Sequence, residues 1–176
     1  MLRPLVTIGA ALLLALAGTA FADAHASAHE YSVEVMITDI VMVGMVPGGV
    51  RGDGTFAGTI TEGLFAGSAV DGIDRSLIRE DGALVIDVRM RILVPDALPV
   101  AVTMRGFWVA PFEMPLEALL DPEAGFPDAD IPGHGVVWHE TMLPEYQHLN
   151  HTLFSFTGVI NLGRGTVRWT SRSMVD

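Results

Sequence analysis

The strongest constraint on this chain is a strict period-two alternation between Ala83 and Leu93. Leu84, Ile86, Val88, Met90 and Ile92 fall on one side of an extended strand, and Ala83, Val85, Asp87, Arg89 and Arg91 on the other. Successive side chains of a strand point to opposite faces, so this segment belongs to a sheet with one apolar and one charged face. The same period recurs along the chain. Tyr31–Val43, Thr55–Thr61, Leu64–Val70, Val100–Phe107, Val136–Thr141, Leu153–Asn161 and Thr166–Ser173 complete a set of about eight candidate strands.

Between these segments stand Val46-Pro47-Gly48-Gly49, Glu62-Gly63, Asp71-Gly72, Asp81-Gly82 and Gly163-Arg164-Gly165. Such residues supply the positive-φ positions that hairpin turns demand. Gly52-Asp53-Gly54 reads as a further turn, since no helix follows it to make a phosphate loop. The expected fold is all-β: a single antiparallel β-barrel of about eight strands with a central cavity, because closure removes exposed edges. One short helix, Pro115–Leu120, is expected inside the long excursion Phe112–Gly135, which either covers a barrel mouth as a lid or runs over the surface as a loop.

Ahead of the strands, Met1–Arg3 carries one positive charge and Leu5–Ala17 is almost wholly apolar. Ala20-Phe21-Ala22 then fits a small-residue cleavage site. This is the layout of a secretory signal peptide ending at residue 22, with export to a periplasmic or extracellular space. An uncleaved anchor is the rival, since Leu5–Ala22 is uncharged over a length near the minimum for a bilayer. After cleavage no stable membrane insertion is expected. Residues 23–30 form a tail and 31–176 the barrel domain. A chain starting at Asp23 places His25 third, where the amine, two backbone nitrogens and the imidazole make a square-planar set for copper(II) or nickel(II). Third-position histidines also arise by chance, and the bland alternative is a solvated tail.

Composition removes many chemistries. The 10 basic residues are all arginine, set against 21 acids for a net charge of −11, and there is no cysteine. Without lysine there is no Schiff-base anchor and no P-loop lysine. Without cysteine there is no thiol nucleophile, disulfide or thiolate metal site. The acidity leaves no basic stripe for nucleic acid. No cofactor is expected, and the expected partner is a small molecule. The oligomeric state is left open.

The charged face of Ala83–Leu93 permits two placements. Asp87 and Arg89 either meet water around a packed interior or line the wall of a ligand cavity, where the guanidinium fork would grip a carboxylate or polarise a carbonyl. Val100–Phe107 repeats the arrangement with Arg105, and Thr166–Ser173 with Arg168 and Arg172. His139 to His151 gathers three histidines, Glu140, Glu145 and Tyr146, so it holds acid–base candidates. Its spacing makes no zinc signature, as His139-Glu140 lacks the second histidine of H-E-x-x-H.

The order Gly54-Thr55-Phe56-Ala57-Gly58, Gly63, Gly67, Gly72-Ile73-Asp74, Arg79-Glu80-Asp81-Gly82 and Asp87-Val88-Arg89 resembles the small β-barrel family catalogued as domain of unknown function 3237. Glu140-Thr141, Tyr146, Leu149-Asn150 and Phe154 continue the likeness downstream. Arg75 stands where that family commonly has tryptophan, Asp96-Ala97 replaces a second Asp-Gly turn, and His139 replaces an aromatic residue. The resemblance implies a barrel with a central cavity and moves Asp74, Asp87, Arg89, Glu140, Tyr146 and Asn150 toward its wall. The resulting expectation is an exported barrel that binds a small, partly apolar organic ligand. Asp74 or Glu140 would serve as base or acid, Arg89 and Arg105 would orient a carbonyl, Tyr146 and Asn150 would donate hydrogen bonds, and Trp108 would join the binding surface. A non-catalytic binding protein, and an interaction domain with a filled barrel, stand as alternatives.

Overall fold

A computed structural model describes residues 30–112, 120 and 125–175. The expected signal peptide, the tail as far as residue 29 with His25, and the expected helix apart from Leu120 lie outside the described residues. The chain forms eight strands: β1 (Glu30–Val46), β2 (Gly49–Gly63), β3 (Ala69–Ile78), β4 (Ala83–Leu93), β5 (Val100–Val109), β6 (Ile131–Glu140), β7 (Phe154–Asn161) and β8 (Thr166–Ser173). Each pairs antiparallel with the next, and β8 returns to β1 through Glu30–Met36 to close the barrel. The described helix is a 3-10 segment, Pro144–His151, between β6 and β7.

Where the strands begin and end departs from the sequence reading in β2, β3 and β6, because glycines read as turn or loop residues lie inside strands. Asp71-Gly72 is not a turn but the middle of β3, and Gly52-Asp53-Gly54 lies inside β2. The chain turns instead at Leu64–Ser68, where Phe65 and Gly67 take positive φ. The glycines inside strands serve packing. Phe56 stands directly opposite Gly72, Trp108 opposite Gly133, Phe156 opposite Gly135 and Trp169 opposite Gly158. At Gly72 a Cβ would lie 2.6 Å from the Phe56 ring, and at Gly133 it would run into the Trp108 indole. Each of these four rings therefore lies over a glycine of a neighbouring strand, which is how a narrow barrel accommodates them.

The inner face of β4, from Leu84 through Ile86, Val88 and Met90 to Ile92, is buried throughout. It meets Val100, Val102, Met104, Val137, Phe154 and Phe156 in one continuous core. One end of the barrel is sealed. There Tyr31 packs edge-on against Phe65 and His139, His139 packs on Phe154 with ring centres 4.8 Å apart, and Tyr146 covers Phe65 at 4.5 Å. The interior space lies toward the other end, with the β1–β2, β3–β4 and β7–β8 hairpins.

Candidate functional site

The space exists because β2 presents no side chain to part of the interior. Val50, Gly52, Gly54 and Phe56 occupy successive inward positions of this strand, and Gly54 stands opposite Asp74 while Gly52 stands opposite Ser76. The two glycines leave a cavity of about 90 Å³ beside β3. Ile40, Met42, Val88, Met104, Trp108 and Trp169 contribute to its walls, and Phe126 reaches it from the end of the β5–β6 excursion. Asp74 is the single ionisable residue among the described residues lining it.

Asp74 is held by a local opening of the sheet. Pairing between β3 and β4 skips from Asp74–Val88 to Leu77–Val85. In the gap the Asp87 amide donates to Asp74 Oδ1 at 3.3 Å, and Ser76 Oγ donates to Asp74 Oδ2 at 2.6 Å. Burial pushes the Asp74 carboxyl up from 3.8 to about 6. The two hydrogen bonds work against that rise, and the charges of Asp87 and Asp53 add to it. A carboxyl so placed exchanges its proton close to neutrality, the condition for general acid–base work or for anchoring a polar group in an apolar space.

The other sequence-derived candidates divide among three places. Trp108 lines the cavity with Asp74. Asp87, Arg89, Arg105 and Glu140 do not: they stand on the outer wall. Arg89 Nη1 donates to Thr103 Oγ1 at 2.6 Å and lies 3.7 Å from Asp87, and Arg105 approaches the same carboxylate at 3.5 Å. Arg89, Arg105 and Glu140 share a wide outer groove with Trp138. The reason is the alternation itself. The uninterrupted apolar face of β4 must be the inside of so small a barrel, so the charged face meets water. Eight of the nine described arginines have a carboxylate within 4 Å, all at the surface, Arg75 being the exception.

Tyr146 and Asn150 sit at the sealed end. Tyr146 packs on Phe65. The Asn150 amide accepts from Thr141 N at 2.8 Å and donates to Thr141 O at 2.9 Å, which ties the 3-10 segment to the end of β6. His139, buried, lies 2.9 Å by Nε2 from the Tyr31 hydroxyl, while its Nδ1 has no partner among the described residues. Burial lowers this imidazole to about 4, with the charge of His148 adding to the effect. Among the described residues no group of three or more histidines or acids is placed to hold a metal ion.

The sequence reading overlooked Ser76, Phe56, Trp169 and the two space-making glycines. A signal for the glycines was present. Gly52, Gly54 and Gly58 recur on one parity of β2 while Arg51, Asp53 and Thr55 hold the other, a strand pattern with an empty inner face rather than a turn.

No family profile matches the chain, and no curated protein matches it either. Three crystal structures share the architecture. A conserved protein of unknown function from Rhodopseudomonas palustris is 21% identical with a TM-score of 0.63, over 84% of this chain and 96% of that one. A protein of unknown function from Clostridium acetobutylicum is 18% identical with a TM-score of 0.66, over 84% and 97%. A β-barrel-like protein from Acinetobacter baumannii is 19% identical with a TM-score of 0.58, over 81% and 91%. At this identity the likeness is one of fold: the chain is similar to these barrels over nearly their whole length.

Proposed function

We propose that the protein is a small-molecule binding barrel whose ligand enters the Asp74 cavity and is held by apolar contacts around that one carboxyl. The observation that carries this reading is the cavity itself: an apolar space kept open by Gly52 and Gly54, with a half-buried carboxyl facing both. An apolar pocket with few convergent polar groups, one of them with a shifted pKa, is the usual form of a ligand site. We likewise propose membership of the domain of unknown function 3237 family, which the barrel accommodates, and export under the N-terminal signal, which rests on the sequence pattern alone.

Acid–base catalysis is the second reading, favoured by the position of Asp74 near neutrality. Binding ranks first because Glu140, Arg89, Arg105 and Tyr146 stand elsewhere. That leaves Asp74 with the Ser76 hydroxyl and, among the described residues, no arginine to polarise a carbonyl.

Toluene titration followed by the fluorescence of Trp108 and Trp169 tests the cavity. Saturable binding is expected for the wild type and for Gly54→Ala, whose Cβ would meet nothing nearer than 3.7 Å. Gly54→Leu fills the space and should abolish it. Equal binding by Gly54→Leu would place the ligand elsewhere. For the catalytic reading, compounds extracted from the purified protein are identified by mass spectrometry and incubated with wild type and Asp74→Asn. Turnover by the wild type, lost in the variant, would raise catalysis above binding.

A further inference from the structure

We propose that the cavity is selective for cations, and that its ligand is a small protonated amine on an apolar body. This rests on the reading of the Asp74 cavity as the ligand site and adds the chemical class that the site takes.

An ionised carboxylate in an apolar cavity needs a counter-charge, and unpaired buried charge is costly. Among the described residues none supplies it to Asp74. Its two partners, the Ser76 hydroxyl and the Asp87 amide, are neutral donors. The charged groups around it follow from the two strands that flank β3. On β2, Asp53 is engaged by Arg51 at 3.1 Å; on β4, Asp87 is engaged by Arg89 and Arg105 on the outer wall. On β3 itself Arg75 is exposed and of opposite parity to Asp74, so it points away. Both neighbouring carboxylates act on Asp74 in the same direction, by repulsion. Anions are therefore unwelcome in this space and a cation is favoured.

The walls agree with the charge. Phe56, Trp108, Phe126 and Trp169 all border the cavity. Aromatic faces carry the negative part of the ring quadrupole, and rings around a carboxylate are a recurrent solution for ammonium groups. Phe56 and Trp169 are fixed in place by the glycines beneath them, Gly72 and Gly158, so the rings are set before a ligand arrives. A volume of about 90 Å³ is below the roughly 150 Å³ of an engineered cavity that takes benzene, so a compact head group or methyl occupies the cavity and the ring of an aromatic ligand stays at its open side.

The direction of the pH dependence separates this class from a neutral one. An ammonium binds the ionised carboxylate and displaces its proton, so its affinity climbs as Asp74 ionises. An alcohol or ketone binds at least as well to the protonated acid. Benzylamine, benzyl alcohol and toluene are closely similar in shape and differ in charge and polarity, and each is titrated into the full chain by calorimetry between about pH 5 and pH 7.5. Benzylammonium is expected to bind at least tenfold more tightly than benzyl alcohol at pH 7.5, and to gain about tenfold between pH 5 and pH 7. Asp74→Asn should remove the preference for the amine while toluene still binds. Benzyl alcohol binding as tightly as the amine at pH 7.5, or amine affinity that is flat with pH in the wild type, would overturn the cation assignment and leave the cavity reading standing. Failure of all three compounds to bind would overturn the cavity reading itself, and the assignment with it.

Discussion

Replacing Asp74 by asparagine should stabilise the fold at neutral pH and not at acid pH. In the folded chain the Asp74 carboxyl is raised from 3.8 to about 6, chiefly by burial. A raised carboxyl means that the folded state binds the proton more tightly than the unfolded state does. Stability therefore falls as pH rises from about 4 to about 6, and stays at the lower value above that window. At 1.36 kcal/mol per unit, a shift of roughly two units costs the wild type about 3 kcal/mol at pH 8, and nothing below pH 3.8. Asparagine does not titrate. It also loses one strong acceptor for Ser76 Oγ and the Asp87 amide, a pH-independent penalty of about 1 kcal/mol. The variant should be slightly less stable than wild type at pH 4 and more stable by about 2 kcal/mol at pH 8. Urea unfolding at five or six pH values between pH 4 and pH 8 measures the difference directly, and the titration of His139, common to both proteins, cancels. A difference that stays constant within about 0.5 kcal/mol across that range would refute the assignment of Asp74 to a buried, uncompensated site.

Three further outcomes follow from the same packing. His139 is lowered to about 4 by burial, so the unfolded state takes up a proton first as the medium is acidified. The His139 contribution should cost the fold about 3 kcal/mol between pH 6.5 and pH 4, against a gain of about 2 kcal/mol from Asp74 over the same range. The wild type should therefore change little, while His139→Phe should become more stable on acidification in the same urea series. Gly133→Ala drives a methyl into the Trp108 indole and should lower stability by about 1–3 kcal/mol or more, read as a drop in thermal midpoint. Asn150→Ala frees both backbone groups of Thr141 and should cost about 1–3 kcal/mol while leaving toluene affinity unchanged, since Asn150 lies at the sealed end.

Side-chain parity was the part of this structure that the sequence expressed most fully. β4 runs over Ala83–Leu93 and β8 over Thr166–Ser173, as their alternation and flanking turns require. A two-residue period in a narrow sheet leaves little freedom once one face is apolar. Strand ends were legible where glycine acts as a turn residue or where prolines bound the connection, as between Leu93 and Val100. Gly82 and Gly165 are such turn residues, with φ near +78° and +65°. Gly72 and Gly133 carry the same letter for a different reason, because each lies under a ring contributed by the preceding strand. That ring is 16 residues from Gly72 and 25 from Gly133, and no local pattern announces it. β3 was consequently placed too early, and β6 starts at Ile131 rather than Val136.

For the candidate site the difficulty was not parity but which parity is inside. Asp87, Arg89 and Arg105 drew attention as the densest charge on any strand, yet density of charge opposite an unbroken apolar face is the signature of an outer wall. A small barrel is filled by its inner side chains. An interior site can then arise only where an inner face is interrupted, and two neighbouring strands are interrupted at the same level. β2 carries Gly52 and Gly54 there, and β3 carries Asp74 and Ser76 directly across from them. Small residues on one strand opposite polar residues on the next, both on the inward parity, make space and chemistry together. The arginines that every charge count singles out hold the outside of the barrel, and Asp74, the carboxylate that faces in, has none of the described arginines within 4 Å.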